Sequence, residues 1–134
     1  MLQAIAMSKT VTEMRKLKVG SYMLIDDEPC KIVDYSTSKP GKHGEAKARV
    51  TAIGIFDSVK RSVVHPVTHK VQVPIIDRRQ AQIIAIVGEE VQLMDMETYE
   101  MFNVPVPEEF KDKLEPGNEI SYLVAMDRKM ITRA

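Results

Sequence analysis

Ser36-Thr37-Ser38-Lys39-Pro40-Gly41-Lys42-His43-Gly44-Glu45-Ala46-Lys47 reads as a turn that holds one lysine out into solvent. Proline pre-sets the first central position of a β-turn, and glycine supplies the positive φ that a type II turn needs at the second. Those are the places of Pro40 and Gly41, and Lys42 follows at the exit, before His43 and a second permissive residue, Gly44. Apolar residues alternate into the stretch (Ile32, Val33, Tyr35) and out of it (Ala46, Ala48, Val50), which makes it the tip of a long hairpin. Within the tip Lys39, Lys42, Lys47 and Arg49 face only Glu45. Turn chemistry alone favours an ordinary basic loop over a dedicated site.

Working outward, short alternating segments separated by turn signals dominate, so the chain is mostly β. Val19–Ile25 ends at the polar turn Asp26-Asp27-Glu28-Pro29, and Cys30–Thr37 leads into the hairpin tip. Ala46–Phe56, Val59–Val64 and Lys70–Val73 follow, enough for a small SH3-like barrel but too few for a large sandwich. Proline interrupts strand pairing, which puts a boundary at Val73-Pro74-Ile75-Ile76. The pattern then restarts with Gln80–Val87, the turn Gly88-Glu89-Glu90, Val91–Met96 and Tyr99–Val104. Pro107–Leu114 has proline and acids in its first turn and lysines toward its end, as a short helix does, and Pro116-Gly117 stops it. Gly117–Met126 and Lys129–Arg133 complete five strands with a helix before the fourth, the arrangement of an OB-fold. The expectation is therefore an SH3-like barrel over residues 1–73, with residues 1–10 flexible, and an OB-fold over residues 74–134.

The chain of 134 residues has no long apolar run, so no membrane span is expected. The opening Met1–Met7 is too short and lacks the basic start of a signal peptide, and Met7-Ser8-Lys9 makes a second reasonable beginning. A single cysteine, Cys30, excludes an internal disulfide and fits a reducing cytoplasm. Net charge is zero, yet it is unevenly divided. Residues 1–74 carry 12 Lys+Arg and 7 Asp+Glu, a net of +5, whereas residues 75–134 carry 7 and 12, a net of −5. A basic front and an acidic rear suit a protein that approaches RNA in one orientation.

Other candidate chemistry is sparse. His65 and His69 are spaced i, i+4, but Pro66 argues against a helix that would align them. With one cysteine and no adjacent carboxylate pair, no metal site is expected. Cys30 opens a strand after Pro29 and reads as a small core residue. Gly41-Lys42 lacks the upstream glycine of a phosphate-binding loop, and His43 stands where that loop has Ser or Thr. Met94, Met96, Met101, Met126 and Met130 read as core filling, and Tyr99, Phe102 and Tyr122 as core packing in preference to base stacking. No catalytic constellation emerges, so an enzyme is not expected.

Gly41-Lys42-His43-Gly44 with Ala46-Lys47, entered through Ser36-Thr37 and Lys39-Pro40, resembles the signature of the hypusine-containing translation factors. This is the archaeal and eukaryotic initiation factor 5A family, whose bacterial counterpart is elongation factor P. Val19-Gly20-Ser21-Tyr22, Pro29-Cys30-Lys31-Ile32-Val33, Gly54-Ile55-Phe56, His65-Pro66, Thr68-His69 and Val73-Pro74 extend the resemblance from about Val11 to the C-terminus. One position departs, since many members carry histidine where this chain has Glu45. The resemblance implies the same pairing of SH3-like barrel and OB-fold. It also implies that Lys42 receives an aminobutyl group from spermidine, giving deoxyhypusine or hypusine, through deoxyhypusine synthase, a separate NAD-dependent enzyme. The chain itself would need no cofactor and no small-molecule substrate.

In that reading Lys39, Pro40, Gly41, His43, Gly44 and Lys47 present Lys42 to the modifying enzyme, and Lys39, Lys47 and Arg49 meet RNA phosphates. The implied function is a cytoplasmic translation factor that binds the ribosome. There it steadies peptidyl-tRNA through modified Lys42, in contact with tRNA and rRNA, and promotes peptide bond formation at stalling sequences. The alternative is an OB-fold RNA-binding module whose basic hairpin stays unmodified.

Overall fold

The computed structural model describes residues 9–38 and 46–134, which divide into two compact units between Ile75 and Ile76. The first unit runs β1 (Lys9–Glu13), a single 3-10 turn (Met14–Lys16), β2 (Tyr22–Ile25), β3 (Glu28–Ser38), β4 (Lys47–Gly54), β5 (Lys60–Pro66) and β6 (Lys70–Pro74). Strands β2, β3, β4 and β5 form one antiparallel sheet in that order, and β1 pairs antiparallel with β6. The β2–β3 connection is two residues long, and both Asp26 and Asp27 take positive φ (53° and 63°). That is the backbone a two-residue hairpin turn requires, and aspartate tolerates it better than most residues.

Period-two alternation builds the first core. Along β4, Ala48, Val50 and Ala52 are fully buried, while Lys47, Arg49 and Ile53 are exposed. On β3 the inward residues Ile32 and Tyr35 are three apart, which a regular strand cannot place on one face. A bulge between Ile32 and Asp34 resolves this by pushing Val33 outward, to 45% exposure. Met14, Met23, Cys30, Ile32 and Val50 form the centre of this core, each at most 1% exposed.

The second unit runs β7 (Asp77–Val87), β8 (Glu90–Asp95), β9 (Met101–Pro105), a 3-10 turn (Glu108–Phe110), β10 (Glu119–Ala125) and β11 (Arg128–Arg133). Its five strands lie in the order β11-β10-β7-β8-β9, all antiparallel. The edge strands β9 and β11 approach each other, as a sheet curling into a barrel requires, and Lys129 Nζ lies 5.1 Å from the Phe102 ring centre. Ala81, Ile83, Val91, Leu93, Ile120, Tyr122 and Ile131 fill the interior. The architecture is mostly β, with an SH3-like first unit and an OB-type second unit.

Four expectations change. Lys9 and Thr10, read as part of a flexible lead, belong to β1, and residues 1–8 lie outside the described residues. Pro74 pairs with Lys9 at the end of β6, so the first unit extends to Ile75 and not only to Val73. An end position on a two-stranded sheet tolerates the missing N–H. The helix expected over Pro107–Leu114 is only the 3-10 turn Glu108–Phe110, followed by turns. The methionines of the second half are absent from its buried core, and Met96 and Met101 are exposed at 37% and 49%.

Candidate functional site

The hairpin β3–β4 is held by a ladder from Cys30–Gly54 to Ser38–Lys47, the last described pair before residues 39–45, interrupted by the bulge at Val33. Lys39, Pro40, Gly41, Lys42, His43 and Gly44 therefore lie outside the described residues. What is described is the platform on either side of them. Tyr35 reaches inward and donates a hydrogen bond from its hydroxyl to the carbonyl of Met14 (2.9 Å), tying β3 to the segment that follows β1. The Val67 N–H donates to the carbonyl of Ala46 (3.0 Å), fixing the chain where it enters β4.

Register places the functional candidates on the outer face of this sheet. Ser38, Lys47 and Pro66 share one row, and Ser36, Arg49 and Val64 the next. Asp34, Thr51 and Ser62 follow, with the Thr51 and Ser62 hydroxyls hydrogen-bonded at 3.1 Å, and then Lys31, Ile53 and Lys60. Lys47 and Arg49 are exposed, and neither pairs with a carboxylate among the described residues. Together with Ser36, Thr37, Ser38 and Val64 they line a shallow recess of about 280 Å³. Two cations beside three hydroxyl groups, with no competing acid in the recess, make a surface suited to phosphate oxygens. The structure thus brings Lys47 and Arg49 together on one face.

No helix aligns the two histidines, as expected, yet their rings meet. His65 ends on β5 and His69 lies just before β6, and the turn between them stacks the rings with centroids 4.1 Å apart and an interplanar angle of 15°. Burial and the neighbouring His69 push the His65 imidazole below its ordinary value. Among the described residues no group of three or more His, Cys, Asp or Glu is placed to hold a metal ion. Cys30 is fully buried, its thiol donates to the Glu28 carbonyl (3.3 Å), and burial pushes its pKa up.

At the far end of β4, Arg61 grips Asp57 through two contacts (2.9 and 3.3 Å) folded back over Gly54. A Cβ at Gly54 would sit 1.9 Å from Asp57 Oδ1, so only glycine leaves room for this clamp. The Arg61 guanidinium and the Val59 N–H hold the Asp57 carboxyl below its usual range.

The second unit contains a feature that no local pattern announces. Asp95 is 1% exposed and charged. The Arg79 guanidinium donates to both of its oxygens (2.6 and 3.1 Å), and the Tyr122 hydroxyl donates at 2.5 Å. The N–H groups of Glu97 (2.8 Å) and Thr98 (2.9 Å) complete the set. These donors hold the Asp95 carboxyl far below the carboxylate range, Arg79 foremost, while burial and Asp95 raise the Tyr122 phenol. The consequence is a fixed β8–β9 turn. Tyr99 within it takes φ of 63° and is 69% exposed, contrary to the expectation that it packs in the core.

No helix among the described residues is long and apolar enough to cross a membrane. Residues 8–69 match the family model "Translation initiation factor 5A-like, N-terminal", and residues 75–134 match "Eukaryotic elongation factor 5A hypusine, DNA-binding OB fold". The translation initiation factor 5A of Archaeoglobus fulgidus is 58% identical over 125 residues, covering 93% of this chain and 98% of that protein. That of Methanothermobacter thermautotrophicus is 56% identical, covering 95% and 98%. Among solved structures, the factor 5A from Methanococcus jannaschii superposes with a TM-score of 0.89 at 52% identity, covering 95% of both chains. A family protein from Naegleria fowleri reaches 0.76 at 32% identity, covering 94% of this chain and 97% of its own. The chain belongs to the translation initiation factor 5A family.

Proposed function

We propose that this translation factor binds the ribosome in the cytoplasm and acts there without catalysing a reaction itself. In this reading Lys42 is modified by deoxyhypusine synthase, which is its own NAD-dependent enzyme and takes the aminobutyl group from spermidine. An ordinary lysine offers one ammonium on a four-carbon stem. The modified side chain roughly doubles that reach and adds a second amine, so two separated positive charges follow a folded RNA surface. The observation that carries the reading is the outer face of β3–β4. Lys47 and Arg49 stand there unpaired among the described residues, beside Ser36, Thr37 and Ser38, on the strands that flank Lys42 in sequence.

The work is division of labour between positioning and charge. Lys47 and Arg49 bind backbone phosphates of tRNA or rRNA and set the register of the factor, with no reading of sequence. The buried alternation of Ala48 and Val50, with Tyr35 bonded to Met14, keeps that face rigid. Modified Lys42 then steadies the acceptor end of peptidyl-tRNA so that the ribosome's own chemistry proceeds at stalling sequences. The test is the mass of the Lys42 peptide from protein purified from its natural host, together with Lys42→Arg. An added aminobutyl unit on Lys42 and loss of stall relief in the charge-preserving variant are expected. An unmodified lysine, or a fully active Lys42→Arg protein, sinks the reading and leaves a plain RNA-binding module.

A further inference from the structure

In OB-folds the second and third strands carry the ligand face, and single-stranded nucleic acid is held there by cations and aromatic platforms. The second and third strands of this unit are β8 and β9. Residues 90–105, which span both strands and their turn, contain Glu90, Asp95, Glu97 and Glu100 and not one lysine, arginine or histidine. Of the cations against this stretch, Arg79 is engaged with Asp95, Asp77 and Glu97, and Lys129 lies over the Phe102 ring, 5.1 Å from its centre. Such a face repels a polyanion.

It does not resemble an idle surface either. Along β8, Val91, Leu93 and Asp95 point inward, which leaves Gln92, Met94 and Met96 on the outer face. Register sets Met101 of β9 opposite Met94, and Asn103 opposite Gln92. Met96 and Met101 are exposed at 37% and 49%, and Tyr99 at 69%, with no hydrogen bond from its hydroxyl among the described residues. Methionine packs adaptably and is over-used on binding surfaces, while tyrosine is enriched among the residues that dominate binding energy.

The turn that presents Tyr99 is unusually well fixed. Asp95 Oδ1 accepts from the N–H of Glu97 and Thr98, the Asp95 carbonyl accepts from Tyr99 N–H (2.9 Å), and Asp95 N–H donates to Glu100 (2.9 Å). A bulky residue at positive φ carries local strain, which persists only where the surroundings over-determine it. Here a buried carboxylate held by Arg79 and Tyr122 does so, and a backbone already fixed costs little further entropy on binding.

We propose that the β8–β9 end of the second unit is a protein-docking surface, anchored by Tyr99, for a basic segment of a ribosomal protein. An arginine or lysine of the partner lies on the Tyr99 ring, its stem runs along Met96 and Met101, and Glu97 and Glu100 meet its charge. The choice of protein over RNA follows from the charge of residues 90–105, and the choice of a ribosomal partner rests on the function proposed above.

The test places a photo-crosslinking benzoylphenylalanine at Tyr99 in the full chain, and separately at Val64 beside Arg49, with purified archaeal ribosomes as the probe. The Tyr99 position is expected to yield an adduct on a lysine- or arginine-rich ribosomal protein peptide, and Tyr99→Ala to weaken ribosome binding about tenfold while Tyr99→Phe retains it. An adduct on rRNA, or none from Tyr99 while Val64 still crosslinks, overturns the docking surface alone. So does unchanged affinity in Tyr99→Ala. Failure of both positions to crosslink, with no binding of the unsubstituted chain, overturns the ribosomal function and this surface together.

Discussion

The β3–β4 hairpin and the β8–β9 turn are the two places where this chain reaches outward, and they handle charge in opposite ways. At the base of β3–β4, Lys47 and Arg49 stand beside hydroxyl groups with no carboxylate partner among the described residues, and backbone pairing with the buried Ala48 and Val50 beneath holds the strands. At β8–β9 the central charge is buried, takes five hydrogen bonds and is neutralised within the unit by Arg79. Charge left unpaired on a rigid face is available to a partner, whereas charge paired in the interior can only shape the backbone around it. The first unit therefore presents its electrostatics, and the second converts its own into geometry.

The comparison breaks most visibly if Asp95→Asn is tolerated. Neutralising the buried Asp95 costs Arg79 its principal partner and loosens the turn, so a loss of about 3 kcal/mol in the second unit is expected. Amide hydrogen exchange resolved by unit would show it, with protection falling in β7–β10 and unchanged in β2–β5. Tyr122→Phe, which removes one donor and leaves Arg79, should cost roughly 1 kcal/mol by the same measurement.

Binding sharpens the other side of the contrast. The double variant Lys47→Ala/Arg49→Ala should flatten the salt dependence of ribosome binding, lowering the log–log slope by about 1.4 if each cation meets one phosphate. Its folded stability should stay within about 0.5 kcal/mol of the parent, because neither side chain is engaged in the fold. A large stability loss, or an unchanged slope, would show that these cations serve the structure instead.

The smallest expected effect is in pH. The folded-state pKa of His65 is lowered, so the unfolded chain binds the proton more readily and stability rises with pH across that interval. The first unit should thus be fully stable above the ordinary value of 6.5 and lose a fraction of its stability as pH falls through the lower folded value. His65→Gln should flatten the profile. Asp95 is also depressed, so its contribution is complete above 3.8 and is lost progressively only as pH falls below that. Melting each unit between pH 7 and pH 5 should therefore move the first and spare the second.

Alternation and turn chemistry made most of the strands legible, because each needs only neighbours in sequence. Ala48, Val50 and Ala52 declare their face, and Asp26-Asp27 declares its turn. β1 was missed because Lys9–Glu13 is short and polar, with Val11 at 59% exposure, and only its pairing with β6 makes it a strand. The Asp95 network draws on residues 79, 95 and 122 from three strands, a separation that no local pattern encodes. The exposed methionines were within reach, since Val91, Leu93 and Asp95 share one parity and Met94 and Met96 the other. Reading methionine as core by composition obscured that parity. For the site, the exposure of Lys47 and Arg49 on one face follows from the alternation of β4, whereas stacking of His65 on His69 required the turn that follows Pro66.

The pairing of β1 with β6 also sets the order in which the first unit can be completed. Lys9 meets Pro74 and Glu13 meets Lys70, so the first strand to be synthesised waits for the last before it has a ladder to join. Contacts of long sequence separation form slowly, because chain closure must precede any gain from pairing. Until residue 70 is made, Met14 also lacks the His69 carbonyl that accepts its N–H. A nascent chain of this factor therefore carries an open seam until the whole first unit has been synthesised, and the β2–β5 sheet must stand alone in the interval.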